Sequence, residues 1–323
     1  MALTDFELVA GIETHVQLKT RTKLFCGCEV RFGAPPNSQV CPVCLGLPGS
    51  LPVLNRAAFE LGLRAALALN CQIAPFTKFD RKNYFYPDLP KNYQISQYDL
   101  PFSHDGWVEI EGGKKVGIVR AHLEEDAGKL IHEENGARSF VDLNRTGSPL
   151  VEIVTQPDLR SSEEGYQYMT ALRTILVAAG VSDCDMEKGE LRCDVNLSVR
   201  RKGAAQLGTK VEVKNLNSFK FAKAAMEYEF ARQAKAVEAG ERIVQETRLW
   251  DVDRGMTRTM RTKEEAHDYR YFPEPDLPPV RVPSEWIEQV RAQLPELPAA
   301  KRARFQKDYG LSDYDARVLS GDR

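Results

Sequence analysis

Four of the seven cysteines fall in one short segment, as Cys26-Gly27-Cys28 and Cys41-Pro42-Val43-Cys44, while Cys71, Cys184 and Cys193 are scattered. Two close pairs, each bent by a Gly or a Pro, can bring four thiolates to the corners of a tetrahedron about 2.3 Å from a zinc ion. The alternative is four unligated thiols. With four protein ligands a zinc has no open position, so it would be a structural staple and chemistry must be sought elsewhere. Glu13 and His15 stand at i and i+2, so on a strand they leave the same face. Glu124, Glu125 and Asp126 follow His122, and Glu152 interrupts the apolar run Leu150-Val151-Glu152-Ile153-Val154. A charged carboxylate inside an apolar strand costs several kcal/mol unless it meets a cation or a donor. Oxygen-rich sites of this kind suit Mg²⁺. Each piece also has a plain reading: Glu13 and His15 as the wet face of an edge strand, Glu124 to Asp126 as a solvated acidic turn, Glu152 as a partner for Arg145 or another structural cation.

Two further polar strand faces carry Arg192, Asp194, Asn196 and Ser198, and Glu212, Lys214, Asn215 and Asn217. The stretch from Tyr84 to Tyr98 interleaves aromatic residues with Lys91 and prolines, a pattern that suits base stacking or ordinary packing. Glycine-loop nucleotide motifs and the H-E-x-x-H pattern are absent, so phosphate chemistry would have to be organised by metal and side chains.

The elements that position these residues are legible by period. Residues 9 to 19 alternate, with Ile12, Thr14, Val16 and Leu18 opposite Glu13, His15, Gln17 and Lys19. A helix is expected from the Asn55 cap to Leu69, and strands and turns from Trp107 to Val154, read as a meander. Ser161 with Glu164 forms a capping box opening a helix that stops at Gly180. Alternating strands follow over Leu191 to Arg200 and Val211 to Lys214, then a helix from Ser218 through Phe221, Ala225, Tyr228 and Ala231 to Gly240. Five prolines between residues 278 and 298 mark a boundary, after which two short helices are joined by Gly310.

The chain has 323 residues, with 44 Lys plus Arg against 46 Asp plus Glu and 42% hydrophobic residues. That balance excludes disorder, a collagen-like repeat and a globally basic nucleic-acid coat, while leaving room for a local basic groove. No apolar run reaches the length of a membrane span, and the first residues lack a signal-peptide pattern, so a cytoplasmic protein with no membrane role is expected.

Several long motifs resemble the B subunit of the glutamyl/aspartyl-tRNA amidotransferase. They are Val9-Ala10-Gly11-Ile12-Glu13-Thr14-His15-Val16-Gln17-Leu18, Phe79-Asp80-Arg81-Lys82-Asn83-Tyr84-Phe85-Tyr86-Pro87-Asp88, and His122-Leu123-Glu124-Glu125-Asp126-Ala127-Gly128-Lys129. Asp142-Leu143-Asn144-Arg145 and His267-Asp268-Tyr269-Arg270-Tyr271-Phe272-Pro273-Glu274-Pro275-Asp276-Leu277 complete the set. The resemblance implies an α+β fold: an antiparallel-sheet cradle similar to the glutamine synthetase catalytic domain over residues 1–295, with a zinc-binding segment at 24–46. Residues 296–323 then begin a helical domain, and family members run substantially further, to a tail that grips tRNA.

The implied reaction uses ATP and Mg²⁺ to phosphorylate the side-chain carboxylate of Glu or Asp mischarged on tRNA(Gln) or tRNA(Asn), after which ammonia displaces phosphate. Ammonia is expected from a glutaminase (A) subunit, with a small third (C) subunit bracing the pair. Carried over residue by residue, Glu13, His15, Glu125 and Glu152 match the Mg²⁺ site, with Glu124 a close second. Lys91 matches a lysine lining the ammonia route, and Cys26, Cys28, Cys41 and Cys44 match a structural zinc site. Arg192, Asp194, Asn196, Lys214 and Asn217 are assigned to the surface that handles nucleotide or aminoacyl group. Rival readings are a non-catalytic zinc-containing tRNA-binding module and an ATP-dependent ligase with a small-molecule acceptor.

Overall fold

The computed structural model describes residues 5–133, 136, 138–262 and 268–321; His267, in the last of the motifs above, lies outside them. The chain begins with β1 (Phe6–Gln17), then the cysteine segment, then α1 (Arg56–Ala68). Short strands β2 (Gln72–Ile73), β3 (Phe76–Thr77), β4 (Asp80–Asn83) and β5 (Tyr93–Ser96) lead into β6 (Ser103–Glu109) and β7 (Lys115–Glu125). Next come β8 (Lys129–His132), β9 (Ser139–Asp142), β10 (Pro149–Thr155), α2 (Ser162–Ala178), β11 (Leu191–Arg201), β12 (Val211–Leu216) and α3 (Phe219–Glu238). The chain closes with β13 (Glu246–Asp251), β14 (Met256–Thr262), β15 (Phe272–Pro273), β16 (Val280–Arg281), α4 (Ser284–Ala292), α5 (Pro298–Tyr309) and α6 (Asp313–Gly321).

Among the described residues, nine strands form one sheet in the order β14-β13-β12-β11-β1-β10-β7-β6-β2. The named pairings are antiparallel except β12 with β13, which is parallel because the long helix α3 connects them. The fold is thus α+β with an antiparallel-dominated sheet. β1 lies between β10 and β11, so Glu13 and His15 stand in mid-sheet and the edge-strand reading of them is corrected. The alternation holds: Ile12, Thr14, Val16 and Leu18 are buried while Glu13, His15 and Gln17 keep partial exposure.

The apolar face packs on α1, α2 and α3 in one continuous core that includes Ile12, Val16, Leu63, Leu123, Ile153, Leu172, Val195 and Met226. Gly165 on α2 is needed for this packing, because a Cβ there would fall 2.7 Å from Met226 Sδ on α3. The polar face is partly covered by a small sheet of β15, β4 and β5.

Two sequence expectations here need correction. The stretch from Trp107 to Val154 is no meander, because β7 pairs with β10 while β8 and β9 form a separate two-stranded hairpin. Ser161 Oγ accepts from Glu164 N (3.1 Å), but Glu164 Oε2 accepts from Arg160 N (2.7 Å) and Lys114 Nζ (2.6 Å), so the reciprocal half of the capping box is missing. The helix expected from Ser218 is present as α3, and its buried face is Ala222, Ala225, Met226, Glu229, Gln233 and Ala234, with β14 packed on the side that carries Glu229.

Candidate functional site

Register brings the polar residues together. Across β11, β1, β10 and β7, Arg192 opposes His15, His15 opposes Glu152, and Glu152 opposes His122. Side chains directly opposite in antiparallel strands share a face with Cβ atoms about 4.5–5.5 Å apart. Glu124, two residues beyond His122 on β7, joins the same face. His15 Nε2 lies 3.3 Å from Glu124 Oε1 and 3.6 Å from Glu152 Oε2, and His122 Nε2 lies 3.2 Å from Glu152 Oε2 and 3.8 Å from Glu124 Oε2. Ligand atoms of His15, Glu124 and Glu152 all fall within 4.8 Å of one another. Glu124 to Asp126 are buried, so the solvated-turn reading is excluded, and Arg145 pairs with Asp126 (3.3 Å) rather than with Glu152.

The electrostatics favour ionised carboxylates here. Burial disfavours a charge on His122, but Glu152 and Glu124 outweigh it and raise its pKa to about 9. Burial also works against ionisation of Glu152 and Glu124, yet His122, His15 and Lys82 hold both carboxyls below the usual carboxylate range. Lys82, on β4 of the covering sheet, sits 4.8 Å from the centre of the Tyr269 ring; burial works against its charge, and Glu124, Tyr271 and Glu152 more than restore it. His122 Nδ1 is buried and has no hydrogen-bond partner among the described residues. Two carboxylates and His15 therefore converge with ring nitrogens as their ion-pair partners, at distances too long for well-made hydrogen bonds in three of the four contacts. Such a donor set suits a hard divalent cation with room for water or phosphate oxygens.

The remaining candidates divide into two neighbouring groups. Glu13 opposes Asp194 one step along β1 and accepts from Asn196 Nδ2 (2.8 Å), while Lys214 bridges Asp194 and Glu212. Burial, then Glu152 and Glu212, push the Glu13 carboxyl above its ordinary range. Arg192 donates to Asp126 (2.8 Å). Asn217 is exposed beyond the end of β12, its amide on Asn215, and does not join this surface. Glu125 forms the other group: its Oε1 accepts from Lys91 Nζ and from Ile95 N (2.9 Å). That pair faces a cavity also lined by Lys23, Cys26, Cys44 and Gly46, and the lining does not include His15, Glu124 or Glu152.

Sequence reasoning assigns no role to His122, Lys82 or Lys23. The alternation His122-Leu123-Glu124 was the signal that could have found the first; nothing local marks Lys23, which is fully buried. Cys26, Cys28, Cys41 and Cys44 do gather, with ligand atoms within 4.8 Å of one another, and Cys41 Sγ lies 3.9 Å from Cys44 Sγ. Zinc with bonds of about 2.3 Å needs tetrahedron edges of about 3.8 Å, so the set fits the metal. The Cys44 thiol is pulled down to about 4, first by its hydrogen bond with Cys26, against burial and with help from Lys23.

Residues 8–288 match the model of the GatB/GatE catalytic domain family. The chain is 59% identical to the B subunit of the aspartyl/glutamyl-tRNA(Asn/Gln) amidotransferase of Carboxydothermus hydrogenoformans, over 98% of this chain and 67% of the relative. The corresponding subunit from Caldanaerobacter subterraneus subsp. tengcongensis gives the same identity and coverage. That from Anaeromyxobacter dehalogenans is 59% identical over 100% of this chain and 67% of its own length. No helix among the described residues is long and apolar enough to cross a membrane.

Proposed function

Because the chain belongs to the GatB/GatE catalytic domain family, we propose that it amidates the side-chain carboxylate of Glu or Asp carried on mischarged tRNA(Gln) or tRNA(Asn), using ATP. In this reading it works in the cytoplasm with a glutaminase subunit and a small third subunit. A carboxylate resists nucleophiles until one oxygen becomes a leaving group, so phosphorylation by ATP precedes attack by ammonia, with release of phosphate. The observation that carries the reading is the convergence of His15, Glu124 and Glu152 on one point of the polar face.

Those three side chains are the proposed Mg²⁺ ligands, with Glu13 beside them and Glu125 set back against Lys91. Bound Mg²⁺ would offset repulsion between the anionic carboxylate and the ATP phosphates. His122 orients Glu152, since its Nε2 contacts the carboxylate from the strand opposite. Lys82 offers a cation on the covering sheet, and Arg192, Asp194, Asn196 and Lys214 extend the surface for nucleotide or aminoacyl group. Lys91 with Glu125 lines the approach of ammonia. Cys26, Cys28, Cys41 and Cys44 hold a structural zinc. The division at 295/296 belongs to the same reading: α5 has no buried residue, so α5 and α6 have little core of their own.

Glu152→Gln in the complete assembly with its partner subunits tests this. Both ATP turnover and amidation of mischarged tRNA should fall about 100-fold or more, with the circular dichroism spectrum unchanged. Near-normal ATP turnover would refute the metal site, and ATP turnover without any stimulation by mischarged tRNA would refute the substrate.

A further inference from the structure

The cysteine segment and the Lys91–Glu125 pair share a wall. The turn Cys41 to Leu47 is tightly closed, with Leu45 N on Cys41 O (3.0 Å), Gly46 N on Val43 O (3.0 Å) and Leu47 N on Pro42 O (2.9 Å). Gly46 ends it at φ +68° and lies flat on Lys91: a Cβ there would fall 2.5 Å from Lys91 Cγ and 3.2 Å from Lys91 Cα. Beneath the turn, Lys23 Nζ donates to Gln39 O (2.7 Å) and contacts Cys44 Sγ (3.6 Å). The Lys23 stem, Cys44 and the second oxygen of Glu125 meet around Gly147, at 3.5, 3.6 and 3.7 Å from the place its Cβ would take. The cavity lined by these residues has a volume of about 70 Å³.

We propose that the cysteine turn is a positioning wall, in which Gly46 confines the Lys91 stem beside Glu125 and Lys23 braces Cys44 behind it, so that zinc loading sets the geometry of that ion pair. The aliphatic stem of Lys91 has the bare Gly46 backbone on one side, and its ammonium is fixed by Glu125, which Ile95 N holds in turn. Loss of the metal would free Cys44, and with it the buried Lys23 ammonium and the Gly46 peptide. Lys91 would then lose the surface that confines it. Gly46 is a position where no side chain fits both the space and the left-handed backbone, which is what a wall made by the main chain requires. The inference deepens the zinc and Lys91 assignments above and rests on them.

Per-residue lysine acetylation, read by mass spectrometry, tests it on the whole chain as zinc-loaded wild type, as chelator-treated wild type and as Gly46→Ala. Zinc content is measured separately, so a chain without zinc refutes the metal reading and leaves Gly46→Ala to decide the positioning. The expected result is that Lys91 labels about tenfold faster in both altered states, the ratio for ~1.4 kcal/mol of lost confinement, while Lys82 is unchanged. Unchanged Lys91 labelling in both would overturn the proposal. So would parallel acceleration at Lys82, which means general loosening rather than a local wall. Should Gly46→Ala fail to fold, the chelated wild type decides by the same ratio.

Discussion

Glu229 and the mid-sheet pair Glu124 and Glu152 are all buried carboxylates, and their surroundings treat them differently. Glu229, fully buried between α3 and the β13–β14 end of the sheet, accepts from Arg232 Nε (2.9 Å) and Nη2 (2.8 Å), from Gln233 Nε2 (3.0 Å) and from Thr257 Oγ1, and Arg248 Nε stands 3.1 Å away. Glu124 and Glu152, buried in mid-sheet, share His15 and His122 at 3.2–3.8 Å, and a ring nitrogen of His122 has no partner among the described residues. Glu229 is saturated by well-made bonds and has the signature of a structural joint. The mid-sheet pair is under-coordinated despite its burial, which is the signature of a site that takes a ligand. Burial of an acid therefore points to function only when its donors fall short.

The largest expected effect breaks the structural side of this contrast. Glu229→Leu leaves Arg232 and Arg248 without their buried anion and should cost about 3–5 kcal/mol by urea denaturation. Glu152→Leu should cost distinctly less, because His122 can shed its proton; equal losses would erase the distinction. Next in size is activity: Glu124→Gln should reduce ATP turnover about 100-fold, whereas Glu229→Gln, measured below its melting temperature, should leave turnover within a few-fold.

The two regions should also answer pH with opposite sign. His122 is raised from 6.5 to about 9, so its contribution in metal-free protein is fully present below about pH 6.5 and is lost as pH rises through about 9. For Glu229, burial opposes ionisation, but Arg232, Thr257 and Gln233 outweigh it and lower its pKa below 4.5, so its contribution is present above about pH 4.5 and is lost as pH falls further. Melting curves of wild type, His122→Asn and Glu229→Gln between pH 3 and 10 check this; a His122→Asn profile parallel to wild type above pH 7 would contradict it. The smallest effect is local. Cys41→Ser should lower zinc content and speed hydrogen exchange in residues 21–53 while leaving β7 and β10 protected, and exchange spread over the sheet would show that the segment is part of the main core.

The same contrast explains what the sequence could disclose. The central strand was legible because Ile12, Val16 and Leu18 alternate strictly with Glu13, His15 and Gln17. The helix starts at Asn55, Ser161 and Ser218 were legible from their caps, each of which accepts a main-chain hydrogen bond. The buried face of α3 was not, because it is lined by Glu229 and Gln233, which a hydrophobic period cannot find. Strands β13 and β14 escaped for a related reason: Glu246, Arg248 and Thr257 are polar residues turned inward to meet each other and Glu229. At the site, period two sends Glu124 and Glu125 to different surroundings, and composition alone does not say which one faces His15. The pairing of Glu152 with His122 depends on a register fixed between strands thirty residues apart, which no local pattern records.

Manganese offers the most direct test, because Mn²⁺ replaces Mg²⁺ at oxygen-rich sites and reports its ligands by pulsed electron paramagnetic resonance. The chain should bind one Mn²⁺ with a coupled imidazole nitrogen, and His15→Ala should abolish that nitrogen signal while Glu229→Gln retains it. Mn²⁺ that binds without nitrogen coupling, or a signal that survives loss of His15, would contradict the placement of the metal between His15, Glu124 and Glu152.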